Sequence, residues 1–240
     1  MLEAIILAGG LGTRLKAVVS DVPKPMAPVA GKPFLAWQMD HLIACGVERF
    51  ILSIGHAAHV IEDYFGNSYR GKVVAYAREE HPLGTGGAIR LAMTKATQRR
   101  VFVLNGDSLC DIQLSQLRAT CESQGDSAVG IGVKKVTDAG RYGAVVFDPL
   151  TKVITQFGEK SAQGEGWINA GVYDLPRGAL SDFALEQPFS FEKNYLQKLS
   201  AGILMAQPVG DFFIDIGIPE DYYIAQTSIP VWVQRISSES

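Results

Sequence analysis

The chain has 240 residues, of which 47% are hydrophobic and 20% charged, and its formal net charge is −3. This size and composition fit one globular α/β domain and exclude a disordered chain, while the near balance of charge argues against a nucleic-acid binder. Three widely spaced cysteines, Cys45, Cys110 and Cys121, contain no C-x-x-C pair and favour a reduced, cytoplasmic protein. The N-terminus carries Glu3 and only a short apolar run, so neither a signal peptide nor a membrane span is predicted.

Short apolar runs alternate with segments of helical periodicity through the first half of the chain, which is typical of β-α-β units. Connections of this kind require a mostly parallel sheet with helices on both faces. The predicted strands are 4–7, 50–54, 73–77 and 101–104, and the predicted helices are 34–45, 59–65 and 87–95.

Strands follow one another at shorter intervals in the second half, which predicts a mixed sheet there. They are predicted over 128–133, 144–147, 153–157 and 168–173, and two late helices near 191–201 and 219–226 flank the run 212–216. The fold class expected from this order is α/β, a three-layer Rossmann-like sandwich with a mostly parallel mixed central sheet. We predict a single domain over 1–227, with a nucleotide-binding half (1–125), a second half (126–227) that completes the cleft, and a loosely attached C-terminal tail (228–240).

The first predicted strand leads into a glycine-rich segment, LAGGLGTRL at 7–15. Ligands of open α/β sheets lie beyond the carboxyl ends of the strands, which is where this segment falls. Gly9, Gly10 and Gly12 let backbone N–H groups approach ligand oxygens, and Arg14 offers a fixed fork of donors to phosphate. The segment matches neither the dinucleotide fingerprint nor a Walker A loop. A phosphate cradle of another type and a simple chain reversal both remain open at this point.

The next segment, VPKPMAPVAGKP, sets Lys24 between two prolines. Proline fixes φ and restricts the residue before it, so the Lys24 ammonium is presented from a stiff stretch of chain. Beside Arg14 it would supply a second cation for a polyphosphate, with Lys32 as a further helper. The alternative is a solvated surface lysine.

These two segments, together with LGTGGA, NGD, INAGVY and DIGIPEDY, resemble the sugar-nucleotide pyrophosphorylases. That family joins a nucleoside triphosphate to a sugar 1-phosphate, and the match follows the family's order over nearly the whole chain. The resemblance implies attack of a sugar-phosphate oxygen on the α-phosphorus with release of pyrophosphate, a reaction that depends on positioning and cations. The catalytic residues that it implies are Arg14, Lys24, Asp107 and Asp215.

Asp107 and Asp215 are the predicted metal ligands. Asp107 follows the strand 101–104, and Asp215 lies in the apolar run FFIDIG, where an unpaired charge is costly to bury. Taken alone, an aspartate after a strand is more often a turn or cap residue. The resemblance places Mg²⁺ between these two carboxylates, which are ligands of the kind that hard cations prefer. The four histidines show no metal-ligand spacing.

The resemblance also implies two binding sites, one for each substrate. The nucleotide-binding residues are Leu7, Ala8, Gly9, Gly10, Gly12, Thr13, Gly55, Glu80, Gly84, Thr85 and Gly86. The sugar-phosphate-binding residues, in the half 126–227, are Gly143, Glu159, Lys160 and Asn169. Without the resemblance, Thr85 would be interpreted as a helix N-cap and Glu159 with Lys160 as a surface turn.

Within the family, SDVPKPMAPVAGKPFLAW and NGDSLCDI are most similar to the heptose 1-phosphate guanylyltransferases of bacterial surface-polysaccharide pathways. This implies GTP and D-glycero-α-D-manno-heptose 1-phosphate as substrates. Mannose 1-phosphate guanylyltransferases and the thymidylyl- and uridylyltransferases of the family stay open as alternatives. No nucleic-acid or membrane partner is expected, and the oligomeric state is left open, with a homo-oligomer allowed.

Two hypotheses come from other classes of protein. A nucleotide-sugar-dependent glycosyltransferase would share the sheet and the metal carboxylates, but it would not need Arg14 and Lys24, and Asn105 replaces the first acid of its D-x-D pattern. A non-catalytic nucleotide-sugar sensor would be expected to lose a cation or a carboxylate, whereas all four are present.

Overall fold

The computed structural model describes residues 1–10, 15, 18–19, 22–140, 143–160, 164–185, 187–199 and 202–238, with only the backbone at 158–160. Gly12, Thr13 and Arg14 of the predicted site lie outside the described residues. The strands are β1 Leu2–Leu7, β2 Pro28–Val29, β3 Lys32–Pro33, β4 Val47–Ile54, β5 Ser68–Tyr69, β6 Lys72–Arg78, β7 Arg100–Asn105, β8 Ser108–Cys110, β9 Val129–Val136, β10 Gly143–Phe147, β11 Ile154–Lys160, β12 Gly166–Pro176, β13 Leu204–Pro208 and β14 Phe213–Asp215. The helices are α1 Phe34–Ala44, α2 Ala58–Phe65, α3 Gly84–Met93, α4 Leu114–Gln124 and α5 Pro219–Ser238.

Ten of the described strands form one mixed sheet in the order β11-β10-β12-β7-β1-β4-β6-β5, with β9 paired to β12 and β13 paired to β9. Strands β7, β1, β4 and β6 run parallel, and β1 lies in register between its neighbours, with Ile5 opposite both Ile51 and Val103. Strands β12, β10 and β11 continue the sheet in antiparallel order. The parallel first half and the mixed second half are both confirmed.

Side chains of β1 alternate between the two faces of the sheet, as the strand period requires. Ile6 belongs to a buried cluster with α1, α2 and α4. Ile5 belongs to a second buried cluster, on the opposite face, with α3 and the segment around Phe189. The two clusters confirm the three-layer α/β sandwich. In the described part of the chain, no helix combines the length and apolar character needed to cross a membrane.

Two helical regions differ from the predictions. Helix α4 was not predicted, because its polar sequence LSQLRATCESQ carries little apolar periodicity. The helix expected over 191–201 is reduced to a π-type turn at Phe191–Tyr195 and a 3-10 turn at Leu196–Lys198. The Phe191 N–H donates to the Thr85 hydroxyl, and the Asn194 side chain accepts from the Ser190 N–H. Side chains therefore provide the acceptors for the backbone N–H groups at the start of this segment.

The prediction of a loosely attached tail is wrong for residues 228–238, because α5 continues through them. Trp232 is only 3% exposed and its ring stacks on Phe212 with centroids 4.4 Å apart. Ile229 is fully buried in the same cluster, which also contains Ile214. Pro230 marks a helix end in sequence, but burial of this apolar face outweighs the hydrogen bond that proline removes.

Candidate active site

The carboxyl ends of β1, β4, β6 and β7 meet at one edge of the sheet, where a cleft of about 810 Å³ lies. This is the edge at which open α/β sheets bind ligands. The predicted residues that line the cleft are Leu7, Gly9, Gly10, Lys24, Gly55, Glu80, Gly84, Thr85 and Asp107.

Two predicted nucleotide-binding residues, Ala8 and Gly86, lie behind the wall of the cleft. Ala8 is fully buried, and its N–H donates to the Ser53 carbonyl at 2.7 Å. A Cβ on Gly86 would overlap the Phe189 ring, with its nearest ring carbon 2.1 Å away. Both residues therefore shape the wall through packing.

The two glycines that follow β1 have different surroundings. A Cβ on Gly9 would lie 2.6 Å from Glu79 Oε1 and 3.2 Å from the Gly55 nitrogen, so a side chain here would displace the Glu79 carboxylate and crowd the backbone. A Cβ on Gly10 would meet no atom within 4 Å. Gly9 thus allows close packing where the ends of β1, β4 and β6 converge, and Gly10 leaves open space toward the cleft.

Glu79, which immediately follows β6, lines the cleft and was missed by the sequence interpretation, which named its neighbour Glu80. One Glu79 oxygen, Oε2, accepts the Leu83 N–H at 2.9 Å. Burial raises the pKa of Glu79, and the Leu83 N–H opposes that shift. The rule that ligands bind beyond strand ends applies to Glu79 as much as to Glu80, since both follow the predicted strand 73–77.

Asp107 and Asp215 are brought together by a two-stranded antiparallel ribbon. Strand β14 pairs with β8 so that Asp215 lies opposite Ser108, and the Ile216 N–H donates to the Asp107 carbonyl at 2.9 Å. Lys24 Nζ lies 2.6 Å from Asp107 Oδ2 and 3.8 Å from Asp215 Oδ1. Three of the four predicted catalytic residues therefore form one cluster.

This cluster has the electrostatics of a cation site. Burial raises the pKa of Asp215, the Asp107 charge raises it further, and Lys24 and the Gly217 N–H oppose both effects. Among the described residues, no group of three or more His, Cys, Asp or Glu side chains could hold a metal by itself. Mg²⁺ is usually held by one or two carboxylates, with water and substrate phosphate oxygens completing its shell, so the two aspartates fit this ion.

Lys32, predicted as a helper for the polyphosphate, is engaged elsewhere. Its ammonium forms an ion pair with Asp40 and lies 3.7 Å from the centroid of the Trp37 ring. These contacts hold the Lys32 ammonium next to α1 rather than in the cleft. The structure thus gives Lys32 a packing role.

The predicted sugar-phosphate residues lie on neighbouring antiparallel strands. Gly143 of β10 is opposite Lys160 of β11, and Ala144 is opposite Ile168, the residue before Asn169 on β12. The backbone therefore brings Gly143, Lys160 and Asn169 close to one another, with Glu159 adjacent in β11.

Asn169 uses both donors of its amide within the protein. Its Nδ2 donates to the Tyr173 hydroxyl at 2.6 Å and to Glu192 Oε1 at 2.8 Å, while its Oδ1 accepts the Gly171 N–H at 3.0 Å. An amide group has two donor hydrogens, and both are occupied. Glu192, which no sequence pattern indicated, is the exposed partner in this set.

A cleft at the carboxyl edge of the sheet, lined by Lys24 and Asp107 with Asp215 beside them, is typical of nucleotide-binding α/β proteins. The sequence pattern of the family described as Nucleotidyl transferase matches residues 3–230. The chain belongs to this family.

Individual relatives extend the match over nearly the whole chain. The D-glycero-alpha-D-manno-heptose 1-phosphate guanylyltransferase of Campylobacter jejuni subsp. jejuni is 42% identical over 226 residues, which are 92% of this chain and 97% of the relative. The enzyme of the same name from Aneurinibacillus thermoaerophilus is 40% identical over 233 residues, covering 97% of this chain and 100% of the relative. The crystal structure of HddC from Yersinia pseudotuberculosis is 40% identical, with a TM-score of 0.83 over 95% of this chain and 99% of that chain. A second HddC structure, complexed with GMP-PN, has a TM-score of 0.82.

Proposed function

We propose that this chain is a sugar 1-phosphate guanylyltransferase that joins GTP to D-glycero-α-D-manno-heptose 1-phosphate and releases pyrophosphate. The observation that carries the proposal is the cluster of Lys24, Asp107 and Asp215, of which Lys24 and Asp107 line the cleft. Relatives of that name, 40–42% identical over at least 92% of this chain, support the choice of substrates.

In the proposed reaction an oxygen of the sugar 1-phosphate attacks the α-phosphorus of GTP. A new P–O bond forms, the bond from the α-phosphorus to the bridging oxygen breaks, and pyrophosphate leaves with the electron pair. Lys24, whose side chain is 13% exposed, stabilises the charge on the phosphate oxygens from a site that water screens poorly. We assign the rest of the triphosphate to Gly12, Thr13 and Arg14.

Asp107 and Asp215 would hold the metal, which we infer to be Mg²⁺. When bound, Mg²⁺ neutralises negative charge on the phosphate oxygens. The two carboxylates need a cation between them, because each raises the energy of the other's charged form and Asp215 is partly buried. Lys24 Nζ, 2.6 Å from Asp107 and 3.8 Å from Asp215, meets part of that need.

Glu79 supports guanine as the base. The Watson–Crick edge of guanine offers two adjacent donors, N1–H and N2–H₂, and a carboxylate accepts from both at once. Glu79 lines the cleft on the side of Gly9 and Gly55, which we assign to the base. Uracil and thymine offer a single N–H between two carbonyls, so a carboxylate there disfavours them.

The sugar phosphate is assigned to the strands β10, β11 and β12. We infer that Lys160 binds the 1-phosphate, that Glu159 binds hydroxyls and that Gly143 allows close approach to the backbone. Asn169 acts there indirectly, by holding Tyr173 and Glu192 with its occupied amide. The proposed compartment is the cytoplasm, which fits the free thiols of the three cysteines.

The test is pyrophosphate release by the purified chain with Mg²⁺, each of the five common nucleoside triphosphates and a panel of sugar 1-phosphates that includes the heptose and mannose compounds. The expected result is the highest kcat/KM with GTP and the heptose 1-phosphate. Asp215→Ala, shown by circular dichroism to be folded, should lower turnover at least about 100-fold. Preference for UTP or dTTP would contradict the guanylyl assignment, and no release with any pair would contradict the enzyme assignment.

A further inference from the structure

Gln38 is a polar residue in an apolar position. It lies in α1 between Leu35 and Leu42, both fully buried on the face that packs against the sheet, and it is itself only 1% exposed. Helical periodicity favours an apolar side chain at such a position. A buried amide is costly unless hydrogen bonds compensate, so its partners reveal what it does.

Both donor hydrogens of Gln38 are used on one loop. Its Nε2 donates to the Asn105 carbonyl at 2.8 Å and to the Ser108 carbonyl at 2.7 Å. Its Oε1 is buried and has no hydrogen-bond partner within the described part of the chain. The two acceptors are carbonyls, so the amide orientation follows from them, and the donors carry the whole interaction.

The two carbonyls that Gln38 binds flank the residue that carries a metal-binding carboxylate. Asn105 ends β7 and Ser108 begins β8, and between them lie only Gly106 and Asp107. One side-chain amide therefore joins both ends of the turn. Gln38 reaches this turn from α1, a different layer of the molecule.

The backbone of the turn itself is tied to two further strands. The Gly106 N–H donates to the Leu7 carbonyl at 3.0 Å, and a Cβ on Gly106 would lie 2.4 Å from that carbonyl oxygen. The Asp107 carbonyl accepts the Ile216 N–H. Gln38 completes the set by binding the carbonyls on either side, so the backbone of Asp107 is held next to the segment that carries Asp215.

We propose that Gln38 is a positioning residue for cation binding, holding the Asn105–Ser108 turn so that Asp107 and Asp215 bind one divalent ion together. The importance of Gln38 for catalysis rests on the proposed function, whereas its effect on divalent-cation affinity can be measured without any catalytic assay. Groups that orient metal ligands through hydrogen bonds typically contribute 10- to 100-fold to metal affinity.

The test uses Gln38→Met, which keeps the length of the side chain and removes both donors. Binding of Mn²⁺ to the full chain is measured by the electron paramagnetic resonance signal of the free ion, without nucleotide. We expect the Mn²⁺ dissociation constant to rise about 10-fold or more. Gln38→Asn, which is one methylene shorter and cannot reach both carbonyls, should show a smaller rise and serves if Gln38→Met does not fold.

The matched control is Leu42→Ala, one turn further along the same face of α1. It removes apolar packing and lowers the melting temperature, but leucine donates a hydrogen bond to neither carbonyl, so Mn²⁺ affinity should stay within about twofold of the wild type. Wild-type Mn²⁺ affinity in Gln38→Met would overturn the proposal. So would an equal loss of affinity in Leu42→Ala at an equal melting temperature, or wild-type binding that survives Asp215→Ala.

The same measurements separate this inference from the proposed function. If the wild type releases no pyrophosphate but Mn²⁺ binding responds to Gln38→Met, the function fails and the positioning role stands. If pyrophosphate release is normal in Gln38→Met at every Mg²⁺ concentration and Mn²⁺ affinity is unchanged, the function stands and the positioning role fails.

Discussion

Glu79 is a carboxylate on the side of the cleft that we assign to the base. Its position next to Gly9 and Gly55 depends on the ends of three strands, β1, β4 and β6, which meet only in the folded chain. On that assignment, the carboxylate favours a base edge with two donors.

Glu79→Gln should lower kcat/KM for GTP by about 10- to 100-fold, because a hydrogen bond to a charged group is lost and an amide N–H then faces a guanine donor. The ratio of kcat/KM for GTP to kcat/KM for UTP should fall as well, with both values measured by pyrophosphate release. Glu122→Gln, on the exposed side of α4, is the matched control and should leave both values unchanged. An unaltered nucleotide preference in Glu79→Gln would contradict the base assignment.

The pH dependence of the KM for GTP tests the role of Glu79 in a second way. Burial raises the pKa of Glu79, so the carboxyl group takes up its proton at a higher pH than an ordinary glutamate does. Protonation has the same chemical consequence as the glutamine substitution. The KM for GTP should therefore rise as the pH falls toward that raised pKa, and the rise should be absent in Glu79→Gln.

At the scale of the secondary-structure elements, α5 contains most of the C-terminal segment that was predicted to be loosely attached. Its buried residues Tyr222, Ala225, Ile229 and Trp232 form one stripe, and that stripe packs in the same cluster as Ile214, the neighbour of Asp215. The helix therefore supports the ribbon that carries Asp215, one of the two carboxylates that we propose as metal ligands.

Trp232→Ala should lower the free energy of unfolding by about 3 to 5 kcal/mol, because it leaves a cavity against Phe212 and His41. Val231→Ala, at a position that is 65% exposed on the same helix, should change stability by less than about 0.5 kcal/mol. Urea denaturation of both variants checks the prediction. Equal, small effects would mean that α5 is only loosely attached.

At the scale of the whole molecule, His41 links stability to pH. It lies on α1, its ring is 4.8 Å from that of Trp232, and burial lowers its pKa from 6.5 to about 4, partly opposed by Asp111 and the Cys110 backbone. The unfolded chain therefore binds this proton at a higher pH than the folded chain does. By linkage, the free energy of unfolding contributed by this group falls as the pH drops from 6.5 toward 4.

The expected loss from His41 is about 2 kcal/mol between pH 7 and pH 5, measured by chemical denaturation at both values. His41→Met, similar in size and without a titrating group, should remove that part of the pH dependence. His59→Met, at an exposed position on α2, is the control for the histidine-to-methionine exchange itself. An identical pH dependence in wild type and His41→Met would refute the assignment.

The sequence predicted the β-α-β half, the mixed second half and three clustered site residues, Lys24, Asp107 and Asp215. Each of these features has a local signal: apolar periodicity, flanking prolines, or a carboxylate in an apolar run. The structure brings the three side chains together, and their roles stay predictions. Lys32 carried a similar signal and was wrong as a cleft residue, since Asp40 and Trp37 take its charge. Arg14 stays a prediction.

Local chemistry and the alternation of strands and helices were thus readable from the chain alone, because they depend on residues close together in sequence. The tertiary structure decided three features: the position of Glu79 beside Gly9, the hydrogen bonds of Gln38 to the Asn105–Ser108 turn, and the extension of α5 past Pro230. Each of these features depends on groups that are distant in sequence and become buried against one another on folding. The energy of a buried charge, amide or ring is set by those partners rather than by its neighbours along the chain.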